Sequence, residues 1–211
     1  MSLWLSLIIA AAVSYLLGNV NGSVLISRLH EHDDVRLHGS GNAGFTNFFR
    51  NYGGLFSLAV ILVDGLKAAA ACLIAGALLR PFGLQTEGAI LGAICVTLGH
   101  NFPALLGFRG GKGIVCGFVS AIVIDWRIAL IIFVVFAAVY FTTHYVSLAS
   151  ILAAFSFGAA FLVLHWGELW ICAGGVLLAL LALFMHRQNF VRLLRGEETK
   201  TDFFHHRRDS K

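Results

Sequence analysis

The sequence predicts an all-α fold, a polytopic transmembrane helical bundle of about seven spans. Of its 211 residues, 58% are hydrophobic and only 12% are charged, and the mean hydropathy is +0.83. A soluble globular domain carries about a quarter charged residues, so the bilayer must be the solvent of this chain. Long apolar runs, separated by short clusters of charge, Gly, Pro and His, indicate several spans.

The apolar runs define the predicted spans, because a transmembrane helix needs about 20 mostly apolar residues. There are seven, at 3 to 27, 54 to 79, 87 to 107, 113 to 124, 127 to 143, 148 to 164 and 167 to 185. The fourth and fifth are short, so they also suit one bent or re-entrant pair. We expect a single membrane-embedded domain over residues 1–211, with a short cytoplasmic tail at 198–211.

Basic side chains divide unequally between the two predicted faces. One face carries only Arg80 and Arg127, whereas the other carries Arg28, Arg36, Arg50, Arg109, Lys112, Arg187, Arg192, Arg195, Lys200, Arg207, Arg208 and Lys211. Cytoplasmic loops are enriched in Lys and Arg, which predicts an extracytoplasmic N-terminus and a cytoplasmic C-terminus. Lys67 lies inside the second span, three residues after Asp64 on the same helical face, and we expect the two to pair.

The first loop on the basic face has the composition of a phosphate-binding segment. It reads HGSGNAGFTNFFR from His38. Glycines free backbone N–H groups to point at an anion, hydroxyl and amide side chains add donors, and Arg contributes a bidentate fork. A flexible polar linker would account for the glycines but not for this series of donors. The candidate residues are Gly39, Ser40, Gly41, Asn42, Thr46, Asn47 and Arg50.

A second Gly-rich segment leads into the fourth apolar run. Gly110, Gly111 and Gly113 flank Lys112 at the predicted start of a helix, where the helix dipole favours anions. His100 precedes this segment and is a further candidate. The Walker A pattern is not met, because its first glycine is replaced by Leu106 and its Ser or Thr by glycine, so ATP hydrolysis is not supported.

A third polar cluster leaves the last span as an amphipathic helix. His186 and Asn189, three residues apart, share a face, and Arg192 follows. A basic interfacial helix that only binds anionic headgroups would need Lys and Arg but neither His nor Asn. Ser150, near the start of the sixth span, adds a hydroxyl on the same side, although alone it would more often be a helix cap.

Together the three segments resemble the bacterial acyl-phosphate:glycerol-3-phosphate acyltransferase family. Its signatures are a GSGNxGxTNxxR loop, a GHxFPxxxxFxGGKG loop and an HxxNxxRLLxGxE tail, and all three occur here in that order. The resemblance covers essentially the whole chain. It implies transfer of a fatty acyl group from acyl phosphate to the 1-hydroxyl of glycerol 3-phosphate, giving lysophosphatidic acid and phosphate for membrane phospholipid synthesis.

The resemblance also implies roles for individual residues. Ser40 and Arg50 would hold phosphate groups, Lys112 with the amides of Gly110 to Gly113 would surround one, and His186 with Asn189 would orient glycerol 3-phosphate. The remaining candidates would bind substrate: Gly39, Gly41, Asn42, Thr46, Asn47, His100, Ser150 and Arg192. The general base stays open between His100, His186 and the departing phosphate.

Neither a metal nor a cofactor is expected. An acyl phosphate is already an activated mixed anhydride, and the four cysteines lie in apolar runs without metal-ligand spacing. The expected partners are the two substrates, the lipid bilayer and the enzymes that supply acyl phosphate, with no nucleic acid. The expected location is the bacterial cytoplasmic (inner) membrane, with the active site facing the cytoplasm.

Two other functions are weighed against this one. A small membrane transporter of phosphorylated solutes would suit polar loops and an intramembrane Asp64–Lys67 pair, but it predicts functional residues spread through the spans. A phosphotransferase that uses CDP-alcohols would need several carboxylates for a divalent metal, whereas Asp64 stands alone in its segment. No His is followed by Asp five positions later, which argues against the usual acyl-CoA acyltransferase chemistry.

Overall fold

The computed structural model describes residues 1–203. Within them the α-helices are α1 (Leu3–Asn19), α2 (Gly22–Ile26), α3 (Phe45–Tyr52), α4 (Phe56–Leu79), α5 (Gln85–Asn101), α6 (Ile114–Ile124), α7 (Trp126–Thr143), α8 (Val146–Leu164), α9 (Leu169–Met185) and α10 (Arg187–Leu194). A π-helical turn (Ser27–Glu31) and three 3₁₀ turns (Val35–Leu37, Arg80–Phe82 and Ala104–Leu106) lie between them. Arg207, Arg208 and Lys211, which the charge argument assigns to the tail, lie outside the described residues.

Several of these helices can cross a membrane. Among residues 1–203, five helical stretches are long and apolar enough: Leu3–Glu31, Phe56–Phe82, Gln85–Leu106, Trp126–Thr143 and Val146–Leu164. A sixth is added if α9 and α10, bent by 55° at their junction, count as one span. The all-α, multi-pass prediction is therefore confirmed, with five to six candidate spans.

The short α6 is the reason why the count falls below seven. It has 11 residues, which is about 16 Å at 1.5 Å per residue, against about 30 Å of hydrocarbon. The predicted runs 113 to 124 and 127 to 143 form two separate helices. The chain is extended at Asp125, whose side chain caps α7 by accepting a hydrogen bond from the Arg127 amide at 3.0 Å.

The first predicted run, 3 to 27, is broken after α1. Val20 and Asn21 have extended backbone conformations, with φ of −72° and −97°. The Asn21 side chain accepts a hydrogen bond from the Val24 amide at 3.0 Å and thereby caps α2, while its Nδ2 donates to the Ala43 carbonyl at 2.9 Å. This break ties the end of the first helical stretch to the Gly-rich loop that precedes α3.

Small residues hold α5 tightly against α4. A Cβ added at Gly88 or Gly92 of α5 would lie 2.6 or 2.5 Å from the carbonyl oxygens of Ala75 and Ala71 in α4. Such close approach is the usual role of glycine in membrane bundles. A Cβ added at Gly99 would likewise overlap the Tyr15 carbonyl of α1, so the C-terminal end of α5, which carries His100, is closely packed where it adjoins the site.

Candidate functional site

A cavity of about 490 Å³ opens where the three polar segments meet. Most of the predicted site residues line it: Ser40, Asn42, Thr46, Asn47, Arg50, His100, Lys112, Gly113, Ser150, His186, Asn189 and Arg192. The predicted glycines Gly39, Gly41, Gly110 and Gly111 do not line it, and they lie in the loops that form its wall. The fold thus brings together side chains that are up to about 150 positions apart in the sequence.

The first loop is shaped from within by Asn47. This buried side chain donates to the carbonyls of Val35 and His38 at 3.0 and 3.1 Å and accepts from the Ser40 amide at 3.0 Å. A Cβ at Gly39, where φ is +55°, would lie 2.5 Å from Asn47 Oδ1. The Asn47 amide is therefore engaged by the loop itself, and it presents Ser40 to the cavity.

The second loop packs against the end of α5. The amides of Gly110 and Gly111 donate to the carbonyls of Asn101 and His100 at 3.2 and 3.1 Å, so those two amides are engaged by the fold and do not face an anion. The neighbouring groups are better placed, because the first turn of α6 has unpaired N–H groups and no side-chain cap. Of the amides expected to surround a phosphate, those of Gly110 and Gly111 are thus already bonded within the fold, and Lys112 and the start of α6 stay the candidates.

Lys112 belongs to a polar network at the cavity wall. Its ammonium donates to Oδ1 of Asn189, whose Nδ2 donates to Glu198 at 3.0 Å. Arg192 Nε donates to the other oxygen of Glu198 at 2.8 Å. Burial lowers the pKa of Lys112 to about 8, with Glu198 opposing and Arg192 and Arg50 adding to that shift. The network fixes two cations and an amide at one end of the cavity.

His186 has a defined orientation at the junction of α9 and α10. The residue is buried, and its Nδ1 lies 2.8 Å from the carbonyl of Ala182, one turn earlier. A carbonyl can only accept, so Nδ1 carries the hydrogen and the neutral ring keeps its lone pair on Nε2. His186 can therefore accept a proton or a hydrogen bond at Nε2.

Arg50 links the cavity to the C-terminal segment 198–203. Its Nε donates to Thr201 Oγ1 at 2.8 Å and its Nη2 to the Thr199 carbonyl at 2.7 Å. The ring of Phe203 packs against those of Phe45 and Phe49, with centroids 5.7 and 5.1 Å away. The described part of the predicted tail is thus packed onto α3 beside the cavity.

The sequence interpretation missed several residues that line the cavity, among them Glu198, Phe203 and Thr97. Glu198 and Phe203 lie beyond the cluster that follows α9, and Glu198 is the last letter of the third motif, a signal that could have found it. Thr97, on α5, is buried, and its hydroxyl has no partner within residues 1–203. Its position one turn before His100 gives no sequence signal of that kind.

The cavity continues from this polar end into an apolar part between α6, α7, α8 and α9. Its apolar walls include Phe118, Ile132, Phe133, Phe136, Phe157 and Leu178. On α8, Phe157 is the lining residue furthest from Val146, 11 positions away and hence about 16 Å along the helix. The cavity is therefore amphipathic, with cations at one end and rings and aliphatic chains at the other.

The comparisons agree on one family. The chain matches the family described as glycerol-3-phosphate acyltransferase over residues 8–196. It is 37% identical over 201 residues to the glycerol-3-phosphate acyltransferase of Finegoldia magna, covering 93% of this chain and 97% of that protein. It is 38% identical over 200 residues to that of Clostridioides difficile, covering 92% and 95%.

A solved structure is similar along nearly the whole chain. The crystal structure of PlsY, an integral membrane glycerol 3-phosphate acyltransferase, in its glycerol 3-phosphate form has a TM-score of 0.84 at 31% identity, covering 93% of this chain and 96% of that one. The lysophosphatidic acid form has a TM-score of 0.81 at 30% identity, covering 94% and 96%. Since sequence and fold match over almost their full lengths, this chain belongs to the glycerol-3-phosphate acyltransferase family.

Proposed function

We propose that this chain transfers a fatty acyl group from acyl phosphate to the 1-hydroxyl of glycerol 3-phosphate, releasing lysophosphatidic acid and phosphate. The observation that carries the proposal is the amphipathic cavity, whose two ends match an acyl chain and the phosphate groups of the two substrates. The same family contains the two relatives named above, and the similar crystal structures are of forms named for glycerol 3-phosphate and lysophosphatidic acid.

The reaction needs alignment more than activation, because acyl phosphate is already a mixed anhydride. The 1-hydroxyl oxygen attacks the acyl carbon, the new ester C–O bond forms, and phosphate leaves with the electrons of the broken C–O bond. Lys112 and the first turn of α6 stabilise the charge that grows on the departing phosphate. Ser40 and Arg50 hold phosphate, and Asn189 orients glycerol 3-phosphate. The hydroxyl proton has three candidate acceptors, His100, His186 Nε2 and the departing phosphate.

The basic loops around the polar end of the cavity determine how the protein is oriented in the membrane. We place the polar end of the cavity at the cytoplasmic side of the bacterial inner membrane, with the N-terminus outside, because the basic loops share that side. The seventh crossing is made by α6, which is too short to span alone and is surrounded by α4, α5 and α7. The chain then acts as one membrane-embedded domain, and the acyl chain lies among α6 to α9.

The transporter alternative makes a different demand on the structure. It needs polar groups along a path through the spans, whereas the cavity becomes apolar away from the loops. The Asp64–Lys67 pair is confirmed, with Nζ 2.7 Å from Oδ1, and it neutralises itself rather than offering a free charge. Acyl transfer explains both ends of the cavity.

A donor comparison tests the proposal. Purified protein in lipid is given labelled glycerol 3-phosphate with acyl phosphate, acyl-CoA or acyl carrier protein in separate reactions, with a chelator present. Lysophosphatidic acid formed from acyl phosphate alone supports the proposed donor and reaction. Product from acyl-CoA alone would show that the donor is wrong, and uptake of glycerol 3-phosphate into vesicles without product would favour the transporter.

Substrate binding is expected to weaken at alkaline pH through Lys112. With a pKa of about 8, the cation is nearly complete at about pH 7, half lost at about pH 8 and largely lost at about pH 9, whereas a phosphate monoester is a dianion above about pH 6. The KM for acyl phosphate, whose phosphate Lys112 contacts in the proposed mechanism, should therefore rise between pH 8 and 9.5. Lys112→Arg, which stays charged, should remove this rise even if its turnover is lower. A KM independent of pH in the wild type would contradict the assignment.

Thr201 is expected to position Arg50. Thr201→Val removes the oxygen that accepts from both Nε and Nη2. The guanidinium then keeps its bond to the Thr199 carbonyl, and the KM for a phosphorylated substrate should rise roughly tenfold or more, the worth of a hydrogen bond to a charged group. Thr199→Val is the matched control, because the contact there uses the backbone carbonyl. Equal KM values for the two variants, measured by steady-state kinetics, would show that Thr201 does not position Arg50.

Acyl-chain preference is expected to depend on Phe157. This buried ring closes the apolar part of the cavity on α8, so Phe157→Ala should lengthen it and raise kcat/KM for longer donors relative to the wild type's preferred one by roughly tenfold. Phe155→Ala is the control, since that ring is on the same helix but 59% exposed. A chain-length profile of Phe157→Ala identical to that of Phe155→Ala would place the end of the acyl site elsewhere.

A further inference from the structure

A buried cluster of Asp64, Lys67 and His100 adjoins the second loop. Asp64 and Lys67 lie on α4 and His100 near the end of α5, with side chains only 2 to 4% exposed. Lys67 Nζ is 2.7 Å from Asp64 Oδ1 and 2.9 Å from His100 Nδ1. The cluster therefore joins the ion pair of one helix to an imidazole that lines the cavity.

The contacts of Lys67 determine which His100 nitrogen carries hydrogen. An ammonium has three hydrogens and no lone pair. Lys67 Nζ has four neighbours within hydrogen-bond distance: Asp64 Oδ1, the carbonyls of Val20 and Gly18 at 2.5 and 3.3 Å, and His100 Nδ1. The ammonium cannot accept a hydrogen bond, so at 2.9 Å Nδ1 must present its lone pair to it. A neutral imidazole with a lone pair on Nδ1 has its hydrogen on Nε2.

The distances in the cluster favour a neutral imidazole, because His100 Nδ1 lies 2.9 Å from the Lys67 ammonium but 3.5 Å from Asp64 Oδ1. Asp64 and Lys67 cancel each other, and Asp64 Oδ1 also accepts from the Gly22 amide at 3.0 Å. An imidazolium would place a second cation 2.9 Å from the first in a buried site, which desolvation and like-charge repulsion both oppose. The groups that face His100 are Asp64 and Lys67 of α4 and the thiol of Cys116 on α6.

The other ring nitrogen lies at the second loop. A Cβ added at Gly111 would overlap His100 Nε2, so this nitrogen lies against the backbone of the residue that precedes Lys112. We propose that Lys67 is a positioning residue that holds His100 in its Nε2–H form, which makes His100 a hydrogen-bond donor to the anion beside Lys112. His100 is then not the general base. This inference rests on the proposed function for the identity of the anion as phosphate.

Nitrogen NMR tests the tautomer without any assay of activity. Protein with ¹⁵N-labelled histidine is measured in lipid bilayers, and the His100 signals are identified by their loss in His100→Gln. We expect a pyrrole-type Nε2 and a pyridine-type Nδ1 at neutral pH. The opposite tautomer, or an imidazolium, would overturn the inference while leaving the proposed acyl transfer intact.

Kinetics of variants test whether the donor serves the substrate. His100→Gln retains an N–H donor and should keep much of the activity, whereas His100→Leu should raise the KM for a phosphorylated substrate by roughly tenfold or more. The pair Asp64→Asn with Lys67→Met removes the ammonium without leaving a buried charge. In this double variant, the plot of kcat/KM against pH should show a new transition near the ordinary histidine pKa of about 6.5. The transition should be absent when His100→Gln is added to the double variant.

A merely structural role for the cluster predicts a different pattern. The double variant would then lose folded protein and turnover equally at every pH, and Gln and Leu at position 100 would behave alike. Either result would overturn the positioning role of Lys67. If acyl phosphate proves not to be the donor, the NMR result still decides the tautomer.

Discussion

Lys112→Ala is expected to lower kcat/KM by roughly 10²- to 10³-fold, the usual loss when one charge-stabilising donor is removed from an active site. The ammonium lies on the cavity wall, is held by Asn189, and adjoins the uncapped start of α6. Both phosphate-bearing substrates place negative charge at this end of the cavity. Because the side chain lines the polar end of the cavity rather than an apolar core, the variant should still fold and insert.

Arg109→Ala is the matched control for this prediction. Arg109 carries the same charge three positions earlier in the same loop, but its side chain is exposed, and surface charges contribute little to binding at a distance. Rates of lysophosphatidic acid formation, normalised to folded protein in lipid, should separate the two variants. Similar losses in both would mean that net basic charge, and not the position of Lys112, matters.

Hydropathy alone was sufficient to predict a helical membrane protein, because soluble proteins do not carry several apolar runs long enough to span a bilayer. It was not sufficient for the number of crossings. The run that forms α6 is too short to span the bilayer. Whether it crosses the membrane depends on its packing against α4 and α5, and no local sequence pattern encodes that packing. The break at Val20 and Asn21 was equally hidden, since it is stabilised by the hydrogen bond from Asn21 to Ala43, 22 positions away.

The sequence predicted which residues line the cavity more accurately than it predicted what each of them does there. Donor-rich loops indicated which residues meet at the cavity, but they did not show which donors the fold itself uses. Asn47 is engaged within its own loop, and the amides of Gly110 and Gly111 bind carbonyls of α5. The contacts of Arg50 with the segment around Thr201 join positions 151 apart, a separation that periodicity cannot report.

Gly111→Ala is expected to abolish most activity, although it adds a single methyl group. The added Cβ would overlap His100 Nε2 and lie 2.6 Å from the Ala43 carbonyl oxygen, and neither neighbour can retreat easily, because the first belongs to the closely packed end of α5 and the second is backbone. The loop must therefore shift. A displacement of about 1 Å at a reacting group can cost roughly a hundredfold in rate, and here it would move Lys112, the next residue.

Gly117→Ala separates this effect from a general intolerance of alanine. Gly117 lies in α6, has no positive φ, and an added Cβ would enter the open space of the cavity with no neighbour within 4 Å. Alanine there should therefore be neutral or slightly stabilising because of its higher helix propensity, and it leaves the backbone of the second loop in place. Thermal unfolding and turnover are measured on both variants in the same lipid. If Gly111→Ala retained wild-type turnover, the backbone of the second loop could not be what positions Lys112, and the ammonium would have to reach the phosphate from more than one loop conformation.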